Sequence, residues 1–84
     1  MNIKTRTISL LAKHYYSIVE RLNKKNIGYA VICENESEEL DIFKIYKTYN
    51  GAKNFVEKIV DEKKFYIIEF NKTELYATFW ALEN

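Results

Sequence analysis

The strongest constraint in this sequence is the spacing of apolar residues near its start. They recur at intervals of three and four, at Ile8, Leu11, Tyr15, Ile18 and Leu22. Side chains at these intervals share one stripe of an α-helix, which must be buried against other elements. The spacing predicts one amphipathic helix that ends near Lys25, where positive charge suits the negative end of the helix dipole.

Three further segments have the composition of β-strands. Residues 27–33, 42–49 and 65–70 are short and rich in β-branched and aromatic residues. In the first strand, Gly28 and Ala30 leave one face shallow enough for a helix to pack closely, while Tyr29 and Val31 point the other way. The acidic residues between the first two strands are expected to form a hairpin loop.

A second helix is predicted between the second and third strands. Its apolar positions follow the i, i+3, i+4, i+7, i+8 pattern, at Ala52, Phe55, Val56, Ile59 and Val60. Asn50 precedes the pattern and is expected to cap the helix, because its side chain accepts a hydrogen bond from a free amide of the first turn.

Both ends of the chain allow two interpretations. Asn71 and Glu74 have the spacing of a capping box, which favours a helix over residues 72–83, whereas the aromatic residues there suit a strand beside residues 65–70. Ile3, Thr5 and Thr7 suit a short strand before the first helix. With both strands, the order would be the ferredoxin-like β-α-β-β-α-β.

The 84 residues contain no internal repeat and no linker, so we expect a single domain over residues 1–84. The predicted class is α+β, with an antiparallel sheet of three to four strands packed against two or three helices. The order is α-β-β-α-β followed by a helix or a strand. A domain of this size buries only about 60% of its unfolded surface, which favours association with a partner.

The sequence offers no set of residues for catalysis or metal binding. His14 is the only histidine and Cys33 the only cysteine, so neither a nucleophile with a neighbouring base nor a zinc site is indicated. We expect a non-enzymatic protein without a metal or cofactor. Because no apolar run reaches about 18 residues and no signal peptide is recognisable, we also expect a cytoplasmic protein without a membrane span.

Charge is strongly segregated, although the net charge is only +1. Residues 1–25 contain six basic residues and one acidic residue. Residues 34–41 contain five acidic residues and no basic one: Glu34, Glu36, Glu38, Glu39 and Asp41. Such a run can face a basic groove on a larger protein and imitate nucleic-acid phosphates. The alternative is a solvated hairpin tip that keeps the sheet edges soluble.

Aromatic residues make up 15% of the chain, too many for so small a core. Tyrosine is common at binding surfaces because it joins a large, rigid ring to a hydroxyl group. Tyr29, Tyr46 and Tyr49 lie on the segments that flank the acidic stretch. We predict that they supply the apolar part of a partner-binding site there.

Two other functions are compatible with this sequence. A small nucleic-acid-binding regulator would use the basic first helix, with Lys13, Arg21, Lys24 and Lys25 as phosphate contacts. A homo-oligomeric structural domain, such as a homodimer, would bury its exposed aromatic residues across a two-fold axis.

The chain as a whole resembles the small bacteriophage-encoded inhibitors of bacterial defence, anti-CRISPR proteins among them. The resemblance rests on size, on a composition rich in Lys, Asn, Ile, Glu and Tyr, and on the acidic segment without a catalytic signature. It implies a stoichiometric inhibitor in the host cytoplasm that occupies the nucleic-acid-binding or assembly surface of a larger protein, such as a CRISPR effector. It identifies no functional residues.

Overall fold

Seven elements form the fold, and the computed structural model describes residues 2–59 and 64–83. The elements are α1 (Ile3–Ala12), α2 (Tyr15–Leu22), β1 (Ile27–Glu34), β2 (Leu40–Tyr46), α3 (Tyr49–Lys58), β3 (Phe65–Asn71) and α4 (Lys72–Glu83). β1 is the central strand of an antiparallel sheet with the order β2-β1-β3. The predicted α+β class is confirmed. The ferredoxin-like alternative is wrong, because both terminal segments are helical.

The predicted N-terminal helix is divided into α1 and α2 by a turn at Lys13 and His14. The Lys13 amide donates to the Leu10 carbonyl at 3.3 Å and the His14 amide to the Leu11 carbonyl at 2.9 Å, so both bonds span three residues instead of four. His14 leaves the helical region with φ −118° and ψ 32°. The apolar stripe is still buried on both sides of the turn. The helix ends at Leu22 rather than near residue 25.

A strand over residues 3–7 does not form, because local hydrogen bonds start a helix there. The Asn2 side chain caps α1 by accepting a hydrogen bond from the Thr5 amide at 2.8 Å. The hydroxyl of the buried Thr7 donates to the Ile3 carbonyl at 2.7 Å. Both threonines, which favoured a strand by composition, are therefore accommodated within the helix.

The sheet is covered by helices on both faces. Ala30 and Ile32 of β1 join the main core with residues of α1, α2, β2, β3 and α4. On the opposite face, Val31 and Cys33 are buried and α3 contacts all three strands. Close packing of a helix at Gly28 is confirmed, since an added Cβ there would lie 2.9 Å from Leu22 Cδ2 of α2.

Two element boundaries differ from the sequence-based prediction. The Thr48 hydroxyl, and not Asn50, caps α3 by accepting a hydrogen bond from the Gly51 amide at 3.1 Å. Val60, the last residue of the predicted helical pattern, lies outside the described residues.

β2 begins earlier than predicted, at Leu40, and ends at Tyr46. A shift in register leaves Phe43 without a partner on β1, as in a β-bulge.

Candidate protein-binding surfaces

The acidic segment forms a hairpin tip between β1 and β2, and Asn35 organises it. The Asn35 side-chain oxygen accepts hydrogen bonds from the amides of Ser37 at 2.9 Å and Glu39 at 3.0 Å. The Asn35 carbonyl accepts another from the Glu38 amide at 3.0 Å, and the Asn35 amide donates to the Glu39 carbonyl at 2.9 Å. Glu38 completes the loop with φ 62°. These bonds give the tip a defined shape.

Arg6 of α1 ties this loop to the helical layer. Its guanidinium lies 3.7 Å from Glu34 Oε2, and its other terminal nitrogen donates a hydrogen bond to the Glu38 carbonyl. Glu34 is half-buried, whereas the other four acidic residues of the segment are exposed. Within residues 2–59 and 64–83, none of those four carboxylates takes part in an ion pair. The tip thus keeps four charges available for a partner.

An aromatic pair lies on the sheet near the acidic tip. Register places Cys33 opposite both Asp41 on β2 and Phe65 on β3. The rings of Phe43 and Phe65 meet edge to face with centroids 5.1 Å apart, and Phe43 is 49% exposed. Sequence reasoning missed this pair, because the bulge at Phe43 and the pairing of β1 with β3 are not visible in local composition.

The three predicted tyrosines form a separate cluster at the other end of the hairpin. Tyr29 pairs with Tyr46 in the sheet, and the Tyr29 and Tyr49 rings are 5.9 Å apart. Tyr29 is five residues from Glu34 along β1, which corresponds to about 17 Å. The structure therefore does not bring the tyrosines and the acidic tip into one contact site.

Tyr29 also contacts a carboxylate on the neighbouring strand. Its hydroxyl donates a hydrogen bond to Glu69 Oε1 at 3.1 Å. This bond, burial of the hydroxyl and the negative charge of Glu69, in that order, raise the pKa of Tyr29 above its ordinary value. The contact joins the Tyr29 side chain on β1 to β3.

The predicted basic contacts do not form a continuous row. Lys13 lies in the turn before α2, while Arg21 is in its last turn and Lys24 and Lys25 follow it. All four are exposed. Most of the length of α2 lies between Lys13 and Arg21, which corresponds to about 12 Å along the chain.

A third surface is built from aromatic residues of α2 and α4. Tyr15 stacks on Phe79 with centroids 4.5 Å apart and contacts the rings of Tyr16 and Tyr76 at 5.4 and 5.8 Å. Exposed fractions are 75% for Tyr16, 50% for Tyr76 and 57% for Trp80. Apolar surface of this kind marks interaction sites in soluble domains.

His14 and Cys33, whose side chains often take part in catalysis or metal binding, lie in different parts of the fold. His14 is exposed in the turn between α1 and α2, and Cys33 is buried in β1. Across the described part of the chain, no three His, Cys, Asp or Glu side chains are grouped closely enough to hold a metal ion. In that same part, no helix combines the length and apolar character required to cross a membrane.

No protein-family model, curated protein or solved structure matches this chain.

Proposed function

We propose that this chain is a non-enzymatic protein-binding module that inhibits a larger, nucleic-acid-handling protein by stoichiometric association. The observation that supports the proposal is the acidic hairpin tip, which exposes Glu36, Glu38, Glu39 and Asp41 on a loop shaped by Asn35. Fixed carboxylates of this density complement a surface of lysine and arginine side chains that otherwise binds phosphates.

The hydrogen bonds that hold the loop in one conformation favour a higher affinity for the partner. A flexible acidic tail would lose conformational freedom when it binds, whereas a loop already held by hydrogen bonds loses less. The bond from Arg6 to the Glu38 carbonyl fixes the tip relative to α1 as well. The exposed Phe43, packed on Phe65, supplies the apolar contact that a purely charged surface lacks.

The partner class follows from this charge. A protein whose groove binds nucleic acid offers the required basic surface, and the resemblance to phage-encoded inhibitors makes CRISPR effectors the first partners to test. On this proposal the protein acts in the host cytoplasm and competes with nucleic acid for the groove. Tyr29, Tyr46 and Tyr49 lie too far from the tip to share that contact.

The test is capture of proteins from a bacterial lysate that contains CRISPR effectors, with nuclease treatment to remove bridging nucleic acid. Support requires that the captured protein itself binds nucleic acid and that free nucleic acid displaces it from the bait. The variant Glu36→Lys, Glu38→Lys, Glu39→Lys is expected to abolish capture while its thermal stability stays close to that of the original chain.

A matched control distinguishes the effect of where the charges lie from the effect of the net charge. The variant Glu20→Lys, Glu57→Lys, Glu83→Lys changes three exposed carboxylates elsewhere and alters net charge by the same amount. It should capture the partner normally. Equal capture by the tip variant and the control would overturn the proposal. Recovery of nucleic acid alone, released by moderate salt, would instead assign binding to the basic residues around α2.

A further inference from the structure

α4 carries apolar residues on two opposite sides. Leu75 is fully buried and Phe79, four residues later, packs against the core. Tyr76, Ala77 and Trp80 lie on the other side of the helix, and all three are exposed. A helix that is apolar all round is normally covered on both sides.

The exposed side of α4 has no charge to match a charged partner. The sequence contains no acidic or basic residue between Glu74 and Glu83, two residues near the ends of the helix. Ring contacts with Tyr15 and Phe79 hold Tyr16 and Tyr76 in place. The part of this surface that α4 contributes is therefore ordered and uncharged between its two ends.

We propose that Tyr76, Ala77 and Trp80 form the centre of a homodimer interface in which two copies of α4 pack antiparallel across a two-fold axis. If the axis passes between the levels of Ala77 and Trp80, Trp80 of each copy lies opposite Ala77 of the other. The large ring then fills the space that the small residue leaves, and both copies gain the same contact. Antiparallel packing also opposes the two helix dipoles.

The exposed area sets an upper limit on the size of such a dimer interface. Tyr16, Tyr76 and Trp80, with Ala77 and Ala81, expose about 500 Å² per copy if a whole aromatic side chain has about 200 to 250 Å². Two copies would bury at most about 1,000 Å², which is below the roughly 1,200 Å² at which stable interfaces begin and within the size of weak, transient ones. We therefore expect a weak, reversible dimer.

Trp80 provides a direct readout because it is the only tryptophan. We expect the mass measured by analytical ultracentrifugation to rise from one chain to two with concentration. Tryptophan emission should move to shorter wavelength over the same concentration range, since the indole leaves water on association. A single-chain mass at every concentration, or dimerisation without a change in emission, would overturn the proposal.

Ala77→Glu tests the interface without removing the fluorescent reporter. Ala77 is exposed on the helix, so the monomer should stay folded, and a carboxylate opposite Trp80 should weaken dimerisation by about tenfold or more. Asn54→Glu adds the same charge to an exposed position of α3 and should dimerise like the original chain. Ala77→Lys repeats the test with the opposite charge. Unchanged dimerisation of both Ala77 variants would contradict the proposed interface.

This proposal is independent of the acidic tip. The triple variant Glu36→Lys, Glu38→Lys, Glu39→Lys should dimerise normally even where it no longer captures a partner, because Arg6 attaches the tip to α1 whereas the proposed interface lies on α4. Loss of dimerisation in that variant would place the interface at the tip and overturn the assignment to α4.

Discussion

Asn71 and Glu74 cap each other where β3 passes into α4. The Asn71 amide donates to Glu74 Oε1 at 3.0 Å, and the Glu74 amide donates to Asn71 Oδ1 at 2.8 Å. The strand ends at Asn71 and the helix starts at the next residue, so these bonds satisfy amides that have no partner within the helix. This reciprocal pair explains why residues 72–83 form a helix despite their aromatic composition.

Asn71→Ala should destabilise the protein by about 1 kcal/mol, because the Glu74 amide loses its acceptor at the first turn of α4. The free energy of unfolding, measured from urea denaturation, is the relevant quantity. Asn54→Ala, at an exposed position inside α3, is the control and should leave stability unchanged or slightly raised. Equal midpoints for Asn71→Ala and the original chain would show that the cap contributes nothing.

Gly28→Ala should destabilise the protein by about 1 to 3 kcal/mol through overpacking. The new Cβ would lie 2.6 Å from Phe70 Cζ and 2.9 Å from Leu22 Cδ2, and both side chains are buried. Urea denaturation gives the loss. In a Gly28→Ala background, Phe70→Leu should cost less than it does alone, because the smaller side chain relieves the clash.

Gly51→Ala is the control for the Gly28 prediction. Its Cβ would lie 3.0 Å from Tyr46 Cδ1 and 3.1 Å from Thr48 Oγ1, a tighter contact than usual but without the overlap seen at Gly28. Gly51 also lies inside α3, where alanine gains about 1 kcal/mol in helix propensity. A larger loss for Gly51→Ala than for Gly28→Ala would contradict the packing explanation.

Much of this fold follows from local sequence patterns. The alternation in β1 separates Ala30 and Ile32 from Val31 and Cys33, and helices cover the two sets from opposite sides. The division of the first helix was not predictable in this way. His14 leaves the helical region without a glycine or proline nearby, so the turn depends on how α1 and α2 pack against the rest of the molecule.

The candidate sites were less accessible to sequence reasoning than the fold. An acidic run shows where charge is concentrated, but strand register decides which rings lie beside it. That register places Tyr29 at the far end of the hairpin and Phe65 opposite Cys33, near the tip. The exposed side of α4 was hidden by the competing strand interpretation, since Ala77 and Trp80, three residues apart, share a face in a helix and not in a strand.

Glu38→Gly should stabilise the protein by about 1 kcal/mol. Glu38 adopts φ 62° in the hairpin tip, a conformation that is costly for a residue with a Cβ and accessible to glycine. Thermal and urea denaturation should both show the gain. Glu36→Gly removes an equal charge at a loop position that lacks a positive φ, and it should not stabilise. A similar gain in both variants would point to relief of charge repulsion instead of backbone strain.

The contact between Tyr29 and Glu69 should make stability depend on pH in the alkaline range. The Glu69 carboxylate raises the pKa of Tyr29 in the folded protein, so the contribution is fully present below the unfolded pKa of about 10 and is lost as pH rises through the folded value. NMR titration of the tyrosine rings measures the shift directly. Glu69→Ala removes both the hydrogen-bond acceptor and the charge, so it should return the pKa of Tyr29 towards its ordinary value and flatten the alkaline loss of stability. Glu57→Ala, on an exposed face of α3, should leave the titration of Tyr29 unchanged. An elevated pKa that persists in Glu69→Ala would assign the shift to another cause.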